Sequence, residues 1–226
     1  YGVGATLPTD ITKTGYSFKG WYDNSSYTGD PISSVLSTET GDKEFYARWD
    51  VNKYTITYVT NNGTINASNV TQYTYGVGAT LPTNVTKTGH TFAGWYTNDS
   101  YAGERMTSIS TTTTGDKTYY AKWNVNSYDV TLNTDSGTIN SGNVKNYIYG
   151  TTVVLPSDVT KTGYTFNGWY DSDEFAGEAI TTVANNETGD KTFYAKFSVN
   201  TYNVILVTNE GVISSGNIES YDFGKG

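Results

Sequence analysis

Thr14-Gly15-Tyr16-Ser17-Phe18-Lys19-Gly20-Trp21-Tyr22 returns as Thr88-Gly89-His90-Thr91-Phe92-Ala93-Gly94-Trp95-Tyr96, and again as Thr162-Gly163-Tyr164-Thr165-Phe166-Asn167-Gly168-Trp169-Tyr170. The step is 74 residues both times, from position 14 to 88 and from 88 to 162. The rest of the chain keeps pace without a gap. Tyr1-Gly2, Tyr75-Gly76, Tyr149-Gly150 and Phe223-Gly224 share the spacing, as do Thr40-Gly41-Asp42-Lys43, Thr114-Gly115-Asp116-Lys117 and Thr188-Gly189-Asp190-Lys191. A fixed period is the signature of a repeat architecture. A unit of this length can bury a small core of its own, so the sequence predicts beads, unlike a solenoid whose shorter repeats need their neighbours.

The 226 residues carry 14 Lys and Arg against 22 Asp and Glu, a formal charge of −8. That balance argues against nucleic acid and anionic membranes, both of which reward clustered Lys and Arg. Cysteine is absent, which excludes disulfides, thiol catalysis and Cys-based zinc sites. No apolar run in this segment reaches the ~20 residues that span a membrane, so no membrane insertion is expected of it. Tyrosine occurs 21 times. With abundant Thr for strands and Gly and Asn for turns, the chain reads as mostly β, α+β at most.

The middle copy supplies the detail. Tyr54-Thr55-Ile56-Thr57-Tyr58-Val59 alternates bulky apolar residues with Thr, the pattern of a half-buried strand with Tyr54, Ile56 and Tyr58 inward. Asn61-Asn62-Gly63 follows as a turn tolerant of positive φ. A second strand is expected over residues 70–75, with Tyr73 and Tyr75 on one face, and Leu81-Pro82 in an irregular crossing. Residues 90–96 read as a third strand interrupted by Gly94. Strict alternation sends Phe92 and Trp95 to opposite faces, and a bulge at the glycine brings Trp95 back to the core. Residues 118–123 form the last strand, with Tyr119, Ala121 and Trp123 inward. Residues 104–113 suit a helical turn or an irregular loop. The links between copies, Asp50-Val51-Asn52-Lys53, Asn124-Val125-Asn126-Ser127 and Ser198-Val199-Asn200-Thr201, contain neither Gly nor Pro. Short links of this composition restrict hinge motion, which predicts beads on a string in a stiff rod, each bead roughly 30 Å across.

Gly89, Phe92, Gly94, Trp95 and Tyr96, then Thr114-Gly115-Asp116, then Tyr120-Ala121-Lys122-Trp123, behind a Tyr-x-Val-x-type strand and an Asn/Gly turn, resemble the Listeria–Bacteroides repeat, the B-repeat module of internalin-type surface proteins. The resemblance runs through the whole chain. It implies tandem β-grasp-like domains with a small mixed sheet, carried on exported bacterial surface proteins as stalks or adhesion modules, and no catalytic residues. This chain departs from the pattern in a single rather than double glycine in the first turn, and in Phe197 where a closing Trp is usual.

The frame gives a partial repeat at 1–50, complete repeats at 51–124 and 125–198, and a partial repeat at 199–226. Three readings account for the partial ends. The chain, which starts at Tyr1 and not at Met, is a window on a longer array or a processed product. The bead is permuted, running for instance over residues 75–148. Or residues 199–226 complete the 1–49 fragment of a neighbouring molecule by strand donation.

Residues with chemical potential are few. His90 stands alone, with Tyr16 and Tyr164 in its place elsewhere, and reads as a strand residue; triad or metal-histidine chemistry needs more partners. Asp171, Asp173, Glu174 and Glu178 cluster once, as a solvated loop or a Ca²⁺ site. Trp21, Trp95 and Trp169 with Tyr22, Tyr96 and Tyr170 either build cores or stack on sugar rings. Asn-x-Ser/Thr occurs at Asn24, Asn62, Asn66, Asn69, Asn84, Asn98 and Asn186, about the frequency chance gives in so Asn- and Thr-rich a chain. The structural signature is therefore Phe18, Gly20, Trp21, Tyr22, Phe92, Gly94, Trp95, Tyr96, Phe166, Gly168, Trp169 and Tyr170, with Trp49, Trp123 and Phe197 closing each copy. The expected function is a stiff extracellular spacer or end-to-end filament of a cell-surface protein, without enzymatic activity or cofactor. Its expected partners are neighbouring copies of the same repeat or chain. The alternative is an adhesin whose surface aromatics bind a host protein or glycan.

Overall fold

The computed structural model describes residues 2–66 and 69–225. Tyr1 of the recurring Tyr-Gly position, the Ala67-Ser68 half of the Asn66 acceptor sequence and the final Gly226 lie outside the described residues. Twelve strands of three residues or more carry the fold: β1 (Tyr16–Tyr22), β2 (Tyr46–Val51), β3 (Lys53–Val59), β4 (Gln72–Thr74), β5 (His90–Tyr96), β6 (Lys117–Val125), β7 (Ser127–Asn133), β8 (Asn146–Ile148), β9 (Tyr164–Tyr170), β10 (Lys191–Val199), β11 (Thr201–Asn203) and β12 (Ser220–Asp222). Short two-residue pairs complete the set, and there is no helix among the described residues. The protein is all-β. Two compact units are distinguished, Tyr1–Lys87 with Phe92–Asn124, and Thr88–Thr91 with Val125–Gly226.

The middle repeat is a four-stranded sheet in the order β5-β6-β3-β4, and the third repeat has the same order, β9-β10-β7-β8. The first and last strands of each repeat lie side by side and parallel: Lys117 faces Ile56 and Tyr119 faces Tyr58, while Lys191 faces Val130 and Phe193 faces Leu132. The outer pairs are antiparallel where their register is described. This is the small mixed sheet that the resemblance implied. Residues 104–113 form a short strand, Ser108–Ile109, paired to Ala79–Thr80, and a turn. Of these twelve strands the first copy contributes β1 and β2, beside the short pair Ala5–Thr6 and Ser34–Val35, and the last contributes β11 and β12.

Alternation decides which side chains enter the core. Ile56 is buried, with Tyr54 and Tyr58 packed beside it, and Thr55 and Thr57 face out. Tyr119 and Ala121 are buried, with Trp123 against the same cluster. The glycine bulge occurs as the sequence predicts. Between Phe166 and Gly168, and between Phe18 and Gly20, the ladder register slips by one residue, and the three glycines take φ of 133°, 130° and 122°. Phe and Trp thereby share a side, with ring centroids 5.5, 5.2 and 5.5 Å apart. Trp95 and Trp169 are each 2 % exposed. Their indole N–H groups donate to the Pro82 and Pro156 carbonyls at 2.7 Å, pinning the Leu-Pro crossing over the core.

The second strand is shorter than expected, Gln72–Thr74, because Tyr75 leaves the sheet for another contact. The Thr-Gly-Asp motif acquires a role that the sequence did not disclose. The Gly115 carbonyl accepts the Tyr73 hydroxyl at 2.6 Å, and Asp116 accepts the Thr55 amide at 2.7 Å. Tyr147 with Gly189, and the Asp129 amide with Asp190, repeat the arrangement. The first turn also works differently. Asn61 and Asn62 carry the positive φ, 51° and 67°, whereas Gly63 is required by close approach. A Cβ there would lie 2.2 Å from the Trp123 ring, and one at Gly137 would lie 2.8 Å from Phe197.

Gly63→Ala should therefore lower stability by about 1–3 kcal/mol through overpacking alone, and red-shift Trp emission as Trp123 is displaced; urea unfolding followed by fluorescence reads both. A second expectation concerns alkaline pH. Burial, with Tyr119 adding to it, pushes the Tyr58 phenol up to about 12. Its folded value lies above the ordinary value of about 10, so the folded chain holds this proton longer than the unfolded one. The contribution is whole below pH about 10 and is lost as pH climbs toward about 12. Urea midpoints should fall across that window, and Tyr58→Phe should flatten the fall.

Candidate functional site: the joint between repeats

A single residue separates the last strand of one repeat from the first strand of the next. Between β2 and β3 it is Asn52, between β6 and β7 Asn126, between β10 and β11 Asn200. Each of these asparagines is bonded on both sides. The Asn52 amide donates to the Gly15 carbonyl at 2.9 Å, and its carbonyl accepts the Tyr75 amide at 3.0 Å. Asn126 does the same with Gly89 and Tyr149 at 2.9 and 3.0 Å, and Asn200 with Gly163 and Phe223 at 2.9 Å each. The side chains follow suit: Ser17, Thr91 and Thr165 donate their hydroxyls to the Asn52, Asn126 and Asn200 side-chain oxygens at 2.6, 2.7 and 2.7 Å.

Over this polar bracket lies an aromatic ring. Tyr75 covers Gly15, Tyr149 covers Gly89 and Phe223 covers Gly163, so closely that a Cβ on those glycines would fall 2.1–2.2 Å from the ring. The glycines also hold φ of 67–78°, a conformation that only glycine adopts without cost. The same ring meets a second aromatic edge-on: Tyr16 at 5.7 Å, His90 at 5.6 Å, Tyr164 at 5.9 Å. His90 thus stands in an aromatic position of the joint, its Nδ1 2.8 Å from the Thr88 carbonyl. The residues of each such bracket fall within one compact unit. What the joint can do is mechanical: it fixes the turn from one β-strand to the next with hydrogen bonds on both sides and a ring packed on bare backbone.

The signature residues lie elsewhere, in the repeats themselves. Trp95, Trp169, Tyr22 and Tyr170 are buried; Phe18, Phe92, Phe166, Trp21, Tyr96, Trp49, Trp123 and Phe197 are partly so. Trp123 donates its N–H to the Thr60 carbonyl at 2.9 Å, and Trp49 and Phe197 pack on Phe18 and Phe166 at 5.4 and 5.6 Å. Gly20, Gly94 and Gly168 make the bulges. The joint residues were missed by reading each copy as a closed bead. Their signal was present in the Tyr-Gly or Phe-Gly recurring at positions 75, 149 and 223, and in the Val-Asn of every link.

Two other sequence candidates resolve differently. Among the described residues no group of three or more His, Cys, Asp or Glu side chains is placed to hold a metal ion, the Asp171–Glu178 stretch included. A surface cluster recurs instead. Tyr27, Tyr101 and Phe175 take φ of 55°, 55° and 54°, rare for bulky side chains. Their rings stand 5.7–5.8 Å from Tyr22, Tyr96 and Tyr170. Lys122 lies 5.2 and 5.8 Å from its two rings, Lys196 5.0 and 5.7 Å from its pair, and Arg48 5.9 Å from Tyr22.

Gly89→Ala should cost about 1–3 kcal/mol, because the new methyl group meets the Tyr149 ring and the backbone stays at positive φ. Tyr149→Phe should change stability by less than about 0.5 kcal/mol, since Phe223 fills the same place. Amide exchange at Asn126 and Tyr149 distinguishes loss of the joint from loss of the whole fold.

The comparisons with known proteins agree with this architecture. The model of the Listeria-Bacteroides repeat domain matches three times, over residues 1–48, 54–122 and 128–196. Two Evansella cellulosilytica proteins whose names describe them as membrane proteins, the second as Gly-rich, are 34 % identical over 197 residues and 32 % identical over 203 residues, covering 87 % and 89 % of this chain. Internalin H of Listeria monocytogenes is 34 % identical over 125 residues, 53 % of this chain. The chain spans 29 %, 23 % and 21 % of the length of these relatives. No solved structure matches it. On the three matches along its length, the chain belongs to the Listeria-Bacteroides repeat domain family.

Proposed function

We propose that this chain is a non-enzymatic spacer segment of a bacterial cell-surface protein, whose repeats hold one another in fixed relation so that an attached part stands away from the cell. The observation that carries the reading is the joint. Asn52, Asn126 and Asn200 bond to both neighbours in the same way three times, under an aromatic ring that permits only glycine beneath it. A flexible tether would spend Gly and Ser on its links, and these links have neither at the bonded positions. The relatives named as membrane proteins and as Internalin H support a place at the cell surface. The acidic charge of −8 suits a surface that stays soluble.

A second reading, adhesion through surface aromatics, is favoured by one observation, the threefold Tyr-or-Phe cluster at positions 27, 101 and 175. Backbone strain of this kind gathers at working surfaces. Tyr27 is 40 % exposed. Trp95 and Trp169 are too buried to serve as sugar platforms.

The chain has no cysteine, so paired spin labels can be placed cleanly at Ser26→Cys and Ser100→Cys, on either side of the first joint. A spacer gives one narrow distance distribution, which broadens when Tyr75→Ala removes the ring over Gly15. A broad distribution in the parent chain defeats the spacer reading. Under the adhesin reading Tyr101→Ala abolishes capture by a host glycan or protein and leaves the distance distribution unchanged.

A further inference from the structure

A repeat inside an array is loaded through its two ends, and the topology of the sheet fixes how that load is met. In the middle repeat the chain enters at the start of β3, Lys53, and leaves at the end of β6, Val125. The two strands are neighbours and run parallel, from Lys117 facing Ile56 to Tyr120 facing Val59. In the third repeat the chain enters at Ser127 and leaves at Val199, with β7 and β10 parallel from Lys191 facing Val130 to Tyr194 facing Asn133. Tension therefore draws the first strand back and the last strand forward along a common line, and it strains every bond of the ladder at once. Were the pair antiparallel, both ends would leave on the same side and the ladder would open one bond at a time. The links lend little slack, since Asn52 and Asn126 are held by their main-chain bonds.

Sliding the pair is opposed by more than the ladder. Asp116 accepts the Thr55 amide at 2.7 Å before the first facing pair, and the Trp123 indole donates to the Thr60 carbonyl at 2.9 Å after the last. In the third repeat Asp190 holds the Asp129 amide at 2.9 Å, and Phe197 stands in the place of the tryptophan. The side chains of the pair are also the core. Ile56, Tyr119 and Ala121 are buried, and the Tyr58 ring stands 4.8 Å from that of Trp95. A slip of one residue turns such side chains toward the wrong face, so the ladder and the apolar core yield together.

We propose that the parallel pair of each complete repeat is a load-bearing clamp, and that these repeats have the further function of staying folded under tension along the chain. The inference rests on the spacer reading, in which tension reaches a repeat through its neighbours. It adds a direction to that reading: the repeat resists pull along the pair and yields to pull across it. Strength under load is governed by the rate of forced unfolding and not by equilibrium stability, so a unit with a small core can bear load by geometry.

The test pulls on the middle repeat within the whole 226-residue chain, by single-molecule tweezers. The absence of cysteine lets handles attach at chosen pairs. Lys53→Cys with Asn124→Cys loads the pair along its length. Lys53→Cys with Thr114→Cys loads the two strand starts on one side and peels them apart. All three positions are exposed and lie in one compact unit. At one loading rate the unfolding force should be at least about twofold higher in the first geometry. Trp123→Phe, which copies the residue that the third repeat carries at 197, should lower the force in the first geometry and leave the second unchanged. Equal forces in the two geometries overturn the proposal, as does a Trp123→Phe effect that is absent or the same in both. The result separates from the spacer reading: equal forces together with narrow spin-label distances remove the clamp and leave the spacer standing.

Discussion

One extra residue in the third strand of each repeat governs where its largest side chains lie. A regular strand would send Phe92 and Trp95 to opposite faces. The slip beside the glycine puts both rings on the core side, and everything above the sheet then depends on the indole. Its N–H reaches the carbonyl of the proline thirteen residues earlier, and that bond holds the irregular Leu-Pro crossing in place. Leu81, beside it, is only 2 % exposed. Regular strand residues could not do this. A buried indole without a partner carries the full cost of its desolvated N–H, so the carbonyl of a segment with no ladder of its own is a necessary acceptor.

The parallel pair is the second constraint. It joins the first strand of a repeat to the last, so the sheet closes only when both ends of the sequence unit have met. Local turns cannot do this alone; the closure entropy of a long loop has to be offset. The Tyr73–Gly115 and Thr55–Asp116 bonds sit beside the junction, which explains why Thr-Gly-Asp recurs although it contributes nothing to the apolar core. The strand that closes one repeat then becomes the first strand of the next through a single asparagine. The bonds of each such asparagine, and the aromatic ring over its glycine, lie within one compact unit.

How much of this was legible follows the range of each interaction. The alternation in residues 54–59 and 118–123 is local, and the structure has the predicted faces inward. The strand at 90–96 stands at the predicted limits, and the bulge could be inferred because a Phe and a Trp three apart cannot both be buried without one. Three features escaped. Gly63 looked like a turn glycine and proved to be a site of close approach by Trp123, sixty residues on. Tyr75 looked like a sheet residue and proved to cover Gly15. Residues 104–113 offered no periodicity and hold only a two-residue strand. Each of these is decided by a partner far away in sequence, which no local pattern encodes. The spacing of the copies did contain the joint: a Tyr-Gly that recurs in every copy outside the core motif needs a structural task of its own.

A repeat of this size without cysteine has to draw its stability from little buried area. The aromatic residues supply it in a particular way. Tyrosine and tryptophan bring large apolar surface together with one polar group that must be satisfied. Here those groups go to backbone carbonyls of segments that lack ladder partners: Tyr58 to Val70, Tyr73 to Gly115, Trp95 to Pro82, Trp123 to Thr60. Each bond fastens a loop to the sheet. Among the described residues no buried side-chain polar atom is left without a partner, and no charged side chain is buried. The polar chemistry of the interior is thus already committed to holding loops, and the irregular half of each repeat is fixed by the same rings that form its core. Such a unit draws its stability and the fixing of its loops from the same residues.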